Sequence, residues 1–413
     1  MFDISIMFFS FFLNSLDYCS MNTFSRIDLR LASVLLSLSL LSCSAPELSE
    51  PLDTLGERPI ITLDETVITD AAPAANVDSP AIWSSEDETW VLVTAKEEDV
   101  LYVHRASDGS LLRKVGGSGT ELGQLERPNG IVVIDDLVFV VERDNQRVQV
   151  MQLPEFTVVG AFGMEHLSEP YGIDVGPLFG EDYLVFVTDN VGALDDEAAP
   201  AEVLSERVHA FSFTVERESG TGAVIGFEAS HEAAFGETDG EGALWVVESI
   251  KADPTLGTLL IADESPRQKN IKVYDALGEN GELGSFRGVT FGEGLFLSEP
   301  EGIVLGVCRN RAGEDVEQGV WMIVDQEERV NHFLAFDRVT FEHLGTFRGA
   351  ITLNTDGIAL VQEARNAPFE NGLFAAVDDD QATSFFRWDE IVASLDLELT
   401  CPEGSSLLPQ NED

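Results

Sequence analysis

The segment Pro128-Asn-Gly-Ile-Val-Val133 matters because it returns. Pro170-Tyr-Gly-Ile-Asp-Val175 and Pro300-Glu-Gly-Ile-Val-Leu305 keep its proline, glycine and isoleucine. Thr355-Asp-Gly-Ile-Ala-Leu360 keeps the last two, Ser79-Pro-Ala-Ile-Trp83 opens the series, and Val246-Val-Glu-Ser-Ile250 is a weaker copy. A second apolar run follows each copy, as in WVLVTAKE (90–97), LVFVVERD (137–144), TLLIADES (258–265) and LFAAVDDD (373–380). Third runs follow these, among them RVQVMQLPE (147–155), IKVYDALGE (271–279) and FFRWDEIVA (385–393). The steps from Pro80 to Pro128 to Pro170 are 48 and 42 residues, and Pro300 to Thr355 is 55. A period of this size, with three or four strands per copy, is the signature of propeller blades. Six copies predict an all-β, six-bladed β-propeller. The acidic stretch 191–207 reads as a surface insertion, and a strand over Ile60–Ile68 is expected to complete the last blade.

Working outward, 413 residues with 44% hydrophobic content can bury a large core, which excludes general disorder. Acids outnumber bases 74 to 24, a net charge of −50, and such a surface repels phosphate backbones, so nucleic acid is excluded as a partner. The first 42 residues hold only Asp3, Asp17, Asp28, Arg26 and Arg30 among charged groups, so the acidity belongs to the rest. Within 1–42, Arg26 and Arg30 precede the apolar run Leu31–Ser42, too short to span a bilayer and patterned as a secretory signal with Met21 as the start. Leu40-Leu-Ser-Cys43 resembles a bacterial lipobox, which implies lipidation at Cys43 and an exported lipoprotein, periplasmic or held at the outer membrane or cell surface. The alternative is plain secretion. Residues 43–58 read as a tether, 59–395 as the propeller and 396–413 as a tail. Cys308 and Cys401 are either a disulfide permitted by export or two free thiols.

First strands line a propeller's channel, and the ends of second strands open at its mouth. The residues expected to meet there are Asp78, Glu248, Glu299, Glu301 and Asp356 from first strands, with Asp263, Glu264 and Asp378 from second strands. Crowded carboxylates repel unless cations neutralise them, and an all-oxygen set suits Ca2+. Lys96 and Arg143 fall at matching blade positions, and together with Tyr171 they complete a site suited to an anion such as phosphate.

From about Ile60 to Ala393 the chain resembles the β-propeller phytases. Asp78-Ser-Pro-Ala-Ile-Trp83 is similar to that family's Asp-Asp-Pro-Ala-Ile-Trp, and Thr94-Ala-Lys96 and Glu142-Arg143 match its phosphate-contacting positions. Tyr171-Gly172, Glu248, Leu259–Glu264, Pro300-Glu-Gly302, Thr355-Asp-Gly-Ile358 and Gly372–Asp378 match further motifs, and Phe386-Arg-Trp-Asp-Glu-Ile391 resembles its closing segment. The resemblance implies calcium held by Asp78, Glu248, Glu264, Glu301 and Asp356, with Glu248, Glu264 and Glu301 central to catalysis. It implies Lys96, Arg143 and Tyr171 as substrate contacts. The implied activity is release of phosphate from myo-inositol hexakisphosphate, or a related phosphoester, by water activated at the metal. A monomer touching the membrane only through its lipid is expected.

Three departures accompany the resemblance. Glu97 replaces a second lysine, Asn190 falls where another lysine is expected, and Gly349–Leu353 replaces an acidic run. There are also two rivals. Gly116–Ile131 with Val140–Val150 resembles an NHL repeat, which implies a non-catalytic surface binding propeller. A calcium-dependent gluconolactonase-type propeller also fits six blades with acidic channel residues.

Overall fold

The computed structural model describes residues 52–177, 182–192, 199–278, 281–364 and 366–410. The expected signal region 1–42 and Cys43 lie outside the described residues. Runs such as Leu137–Val141 lack a polar face because both faces of the strand are covered. Leu137, Phe139 and Val141 pack with Tyr183, Val185 and Phe213 on one side, while Val138 and Val140 pack with Leu92, Leu101 and Val103 on the other. The second strand of every sheet divides its side chains in this way. Six apolar clusters therefore fill six seams between neighbouring sheets.

Six sheets result, in the order of the repeats, antiparallel but for one added strand. Five have four strands. The fifth along the chain has seven, because segments from both ends of the chain join it. The inner strands are Val77–Ser84, Pro128–Ile134, Pro170–Pro177, Ile250–Asp253, Glu299–Asn310 and Ile358–Val361. Each touches the next, and the last touches the first, so the sheets form a closed six-bladed propeller.

The strand expected over 60–68 is split in two. Arg58–Leu63 lies parallel to the outer strand His343–Gly349 of blade five, with Ile60 opposite Thr346. Only Val67–Ile68 completes blade six, antiparallel to Ala382–Arg387. Residues 54–55, read as tether, pair with 58–59. The third run of blade six ends as a strand at Arg387 and continues as the helix Trp388–Ser394. Helix packing is set by Trp388, Ile391 and Val392, which are buried on the core between blades five and six.

The last described residues are part of the body. Cys401 bonds to Cys308, Ser405–Ser406 pairs with Arg309 and Asn310, and Leu407 is buried with its carbonyl accepting from Trp388 Nε1. The cysteine pairing left open by the sequence is thus a disulfide.

Acids near the ends of second strands in blades three to six fasten each of those strands to a neighbouring loop. Asp189 accepts the Ser168 and Glu169 amides at 2.7 and 2.8 Å, and Asp325 accepts those of Leu297 and Ser298 at 3.0 and 2.9 Å. Asp263 takes the amides of Trp245 and Ser265, and Asp378 that of Leu353. Asp263 and Asp378, expected at the channel mouth, are therefore backbone fasteners. Satisfying otherwise orphaned amides is their role.

Candidate metal centre at the channel mouth

The repeated motif acquires its meaning from a register shift. The ladder between first and second strands skips between Val77 and Pro80, Pro128 and Ile131, Pro170 and Ile173, and Pro300 and Ile303. A bulge re-aims the residue it frees. The residues in that place are Asp78, Asn129, Tyr171 and Glu301, while Glu248 and Asp356 stand two residues before the inner strands of blades four and six.

The glycine that follows is required by close approach. A Cβ on Gly130 would stand 2.5 Å from the Tyr171 carbonyl oxygen, one on Gly357 would stand 2.7 Å from that of Asp78, and one on Gly172 would overlap that of Glu248. Each glycine thus abuts the channel residue of the next blade. The contact sets how tightly the ring closes.

Asp78, Tyr171, Glu248, Glu301 and Asp356 line a channel cavity of about 230 Å³. A second cavity of about 240 Å³ opens beside it, lined by Asn190, Glu264, Glu299 and Gln326, and shares Glu248, Glu301 and Asp356 with the first. Glu248, Glu264 and Glu301 each direct a carboxylate oxygen so that all three lie within 4.8 Å of one another. Asn190 Nδ2 donates to Glu248 at 3.3 Å and the Ser249 hydroxyl donates to Glu301 at 3.2 Å. Gln326 Nε2 donates to Asp356 Oδ1 at 3.1 Å. Glu264 Oε1 and Asp356 Oδ2 are buried with no hydrogen-bond partner.

Burial, then the Asp78 charge, pushes Glu248 up to about 7. Burial and the neighbouring carboxylates raise Glu264, Glu301 and Asp356 well above the usual range. The oxygen-only donor set, the two orphaned oxygens and the mutual repulsion all fit a divalent cation.

Lys96 stands on the far side of Asp78. Its ammonium donates to Asp78 Oδ1 at 2.8 Å and to the Tyr171 hydroxyl at 3.3 Å. Burial opposes its charge, but Asp78, Asp356 and Glu248 outweigh burial and hold the lysine above its ordinary pKa. Burial and the same carboxylates raise Tyr171 well above its own. Asp78 is accordingly committed first to Lys96.

Arg143 is not brought into this group. Its guanidinium pairs with Asp144 at 3.1 Å, it lines neither cavity, and its side chain is 38% exposed. The departures also find partners. Glu97 pairs with Arg127 at 3.0 Å, Asn190 orients Glu248, and the loop 349–353 receives Glu65, which accepts from the Ile351 and Thr352 amides. The NHL-like residues of blade two form a buried network in which Glu142 accepts from Arg147 at 2.7 Å and from Gln149 at 2.9 Å.

Sequence reasoning missed Asn129, although it holds the motif position of Tyr171 and Glu301; both amide atoms are buried and unpartnered. It also missed Gln326 and the pair Lys251–Asp174, 2.6 Å apart and lining the channel. Asp174 stands inside a quoted motif, which was the available signal.

No protein-family model matches the chain, and no curated protein matches it in sequence. Solved structures similar to it include a Xanthomonas campestris gluconolactonase at 14% identity, covering 81% of this chain and 90% of that one, with a TM-score of 0.42. A luciferin-regenerating enzyme is 8% identical over 78% and 95%, with a TM-score of 0.46. Kuenenia stuttgartiensis hydrazine synthase is 11% identical over 81% of both chains, with a TM-score of 0.41. At this distance none of them carries an activity over to this chain.

Proposed function

We propose that the protein is a calcium-dependent phosphomonoester hydrolase acting on a phosphorylated small molecule, phytate or a less charged ester. The convergence of Glu248, Glu264 and Glu301 beside an open cavity carries this reading. These three would hold calcium, with Asp356 adjoining and Asn190 and Ser249 orienting the carboxylates. Bound calcium supplies charge for phosphoryl oxygens and makes water a better nucleophile. Asp78 and Tyr171, which line the channel cavity, bond the Lys96 ammonium behind them, and its charge would favour an anion in the cavity. With calcium bound, Glu248 would be held ionised, losing the proton that burial and the Asp78 charge otherwise favour.

Arg143 lies apart and Glu97 is acidic, which favours an ester carrying fewer phosphates than phytate. The disulfide supports an oxidising compartment, in line with the export and lipid anchoring read from Arg26–Cys43. The test is phosphate release from phytate and from simple monoesters, with calcium and with chelator. Calcium-dependent release from at least one ester is expected. Folded protein that releases none in excess calcium would leave a binding propeller as the better account.

A further inference from the structure

Blade five carries a second constellation behind the first. Along 325–327, Gln326 turns into the acidic cavity, and the alternation of an extended chain sends Asp325 and Glu327 the other way. There they meet His332, the first residue of the adjacent strand His332–Asp337, which pairs with Asp325 in the ladder. His332 is 2% exposed and both of its ring nitrogens lack a hydrogen-bond partner. Glu327 Oε1 is likewise buried and unpartnered.

The distances discriminate between readings. His332 Nδ1 lies 3.7 Å from Asp325 Oδ2 and 3.5 Å from Glu327 Oε1, beyond hydrogen-bonding range for both. An ion with ligands at ~2.1 Å in tetrahedral array separates those ligands by ~3.4 Å. One atom from each of the three residues lies within 4.8 Å of the other two. The spacing is longer than a relaxed hydrogen bond from the ring to either acid and close to what a shared ion would impose. Imidazole with two carboxylates suits zinc better than calcium, which takes oxygen ligands.

We propose that Asp325, Glu327 and His332 form a binding site for a zinc-like divalent transition ion, separate from the glutamate cluster. Asp325 is held in place by the Leu297 and Ser298 amides, as ligating carboxylates commonly are. The Glu327 side chain, 28% exposed, leaves an approach for the ion and for a water as fourth ligand. The site ties the end of one strand to the start of the next and flanks Gln326, the hydrogen-bond donor to Asp356. It does not depend on the hydrolase reading.

Cobalt(II) added to chelator-stripped full-length protein is the probe, because a four-coordinate site containing nitrogen gives intense visible bands that an oxygen-only site does not. One equivalent should produce the bands, and zinc should bleach them. His332→Gln and Glu327→Gln should each abolish them, while Glu264→Gln, which alters the other cluster, should keep them. Bands that survive His332→Gln, or folded wild-type protein that develops none, would overturn the proposal. If His332→Gln does not fold, Glu327→Gln at the open strand end decides, and persistence of its bands counts against the site.

Discussion

At Glu248 burial and the Asp78 charge favour the protonated carboxyl, so the folded protein holds a proton that the unfolded chain has lost. A folded pKa above the unfolded one means that this contribution is full below the ordinary value of 4.5 and fades as pH rises to about 7. Glu264, Glu301 and Asp356 shift in the same direction. Chelator-treated protein should therefore melt several degrees lower at about pH 8 than at about pH 5, and calcium should remove the difference by replacing the protons. A melting temperature independent of pH in chelator would contradict this. Glu264→Gln should lower calcium affinity by roughly 10–100-fold, seen in titration calorimetry, while stabilising the calcium-free protein by relieving repulsion. Unchanged affinity would remove Glu264 from the ligand set. At this scale the sequence displayed residue types but not their partners. Lys96 and Arg143 follow equivalent strands, yet one is buried on Asp78 of its own blade and Tyr171 of blade three, while the other turns to the adjacent Asp144.

At the scale of the element, the Pro-x-Gly-Ile motif encodes a bulge and a close contact rather than an ordinary strand start. Gly172→Ala would drive a methyl group into the Glu248 carbonyl, and a loss of about 1–3 kcal/mol or more in urea unfolding is expected. Gly176→Ala in the same strand meets nothing nearer than 3.8 Å and should change stability little. Equal effects from the two would refute the close-contact account. Strand order and the channel-facing position were legible because glycine and proline recur at fixed offsets. The split of residues 58–68 was not, since nothing in a run of alternating residues states which of two outer edges it will join. Asp263 and Asp378 misled for a related reason: along a strand end, one residue's shift separates a ligand from a backbone fastener.

For the molecule as a whole, two long-range ties act near blade five. The disulfide spans 93 residues and holds the final segment on blades five and six. Replacing both cysteines by serine should cost about 2–4 kcal/mol and expose residues 396–410 to proteolysis, with the six inner strands retained. Protease resistance equal to wild type would show that packing of Leu397 and Leu407 is enough. Circular closure was legible as a repeat count, whereas the places where the ends attach depended on edges that exist only once the sheets have formed. Synthesis order gives the attachment of residues 58–68 a further consequence. These residues leave the ribosome before their partners Thr346–Gly349 and Ser384–Phe385 have been made. A nascent chain halted ahead of Ala382 would carry unmated strand edges at both ends of an open arc, the kind of surface that chaperones engage and that aggregates form upon.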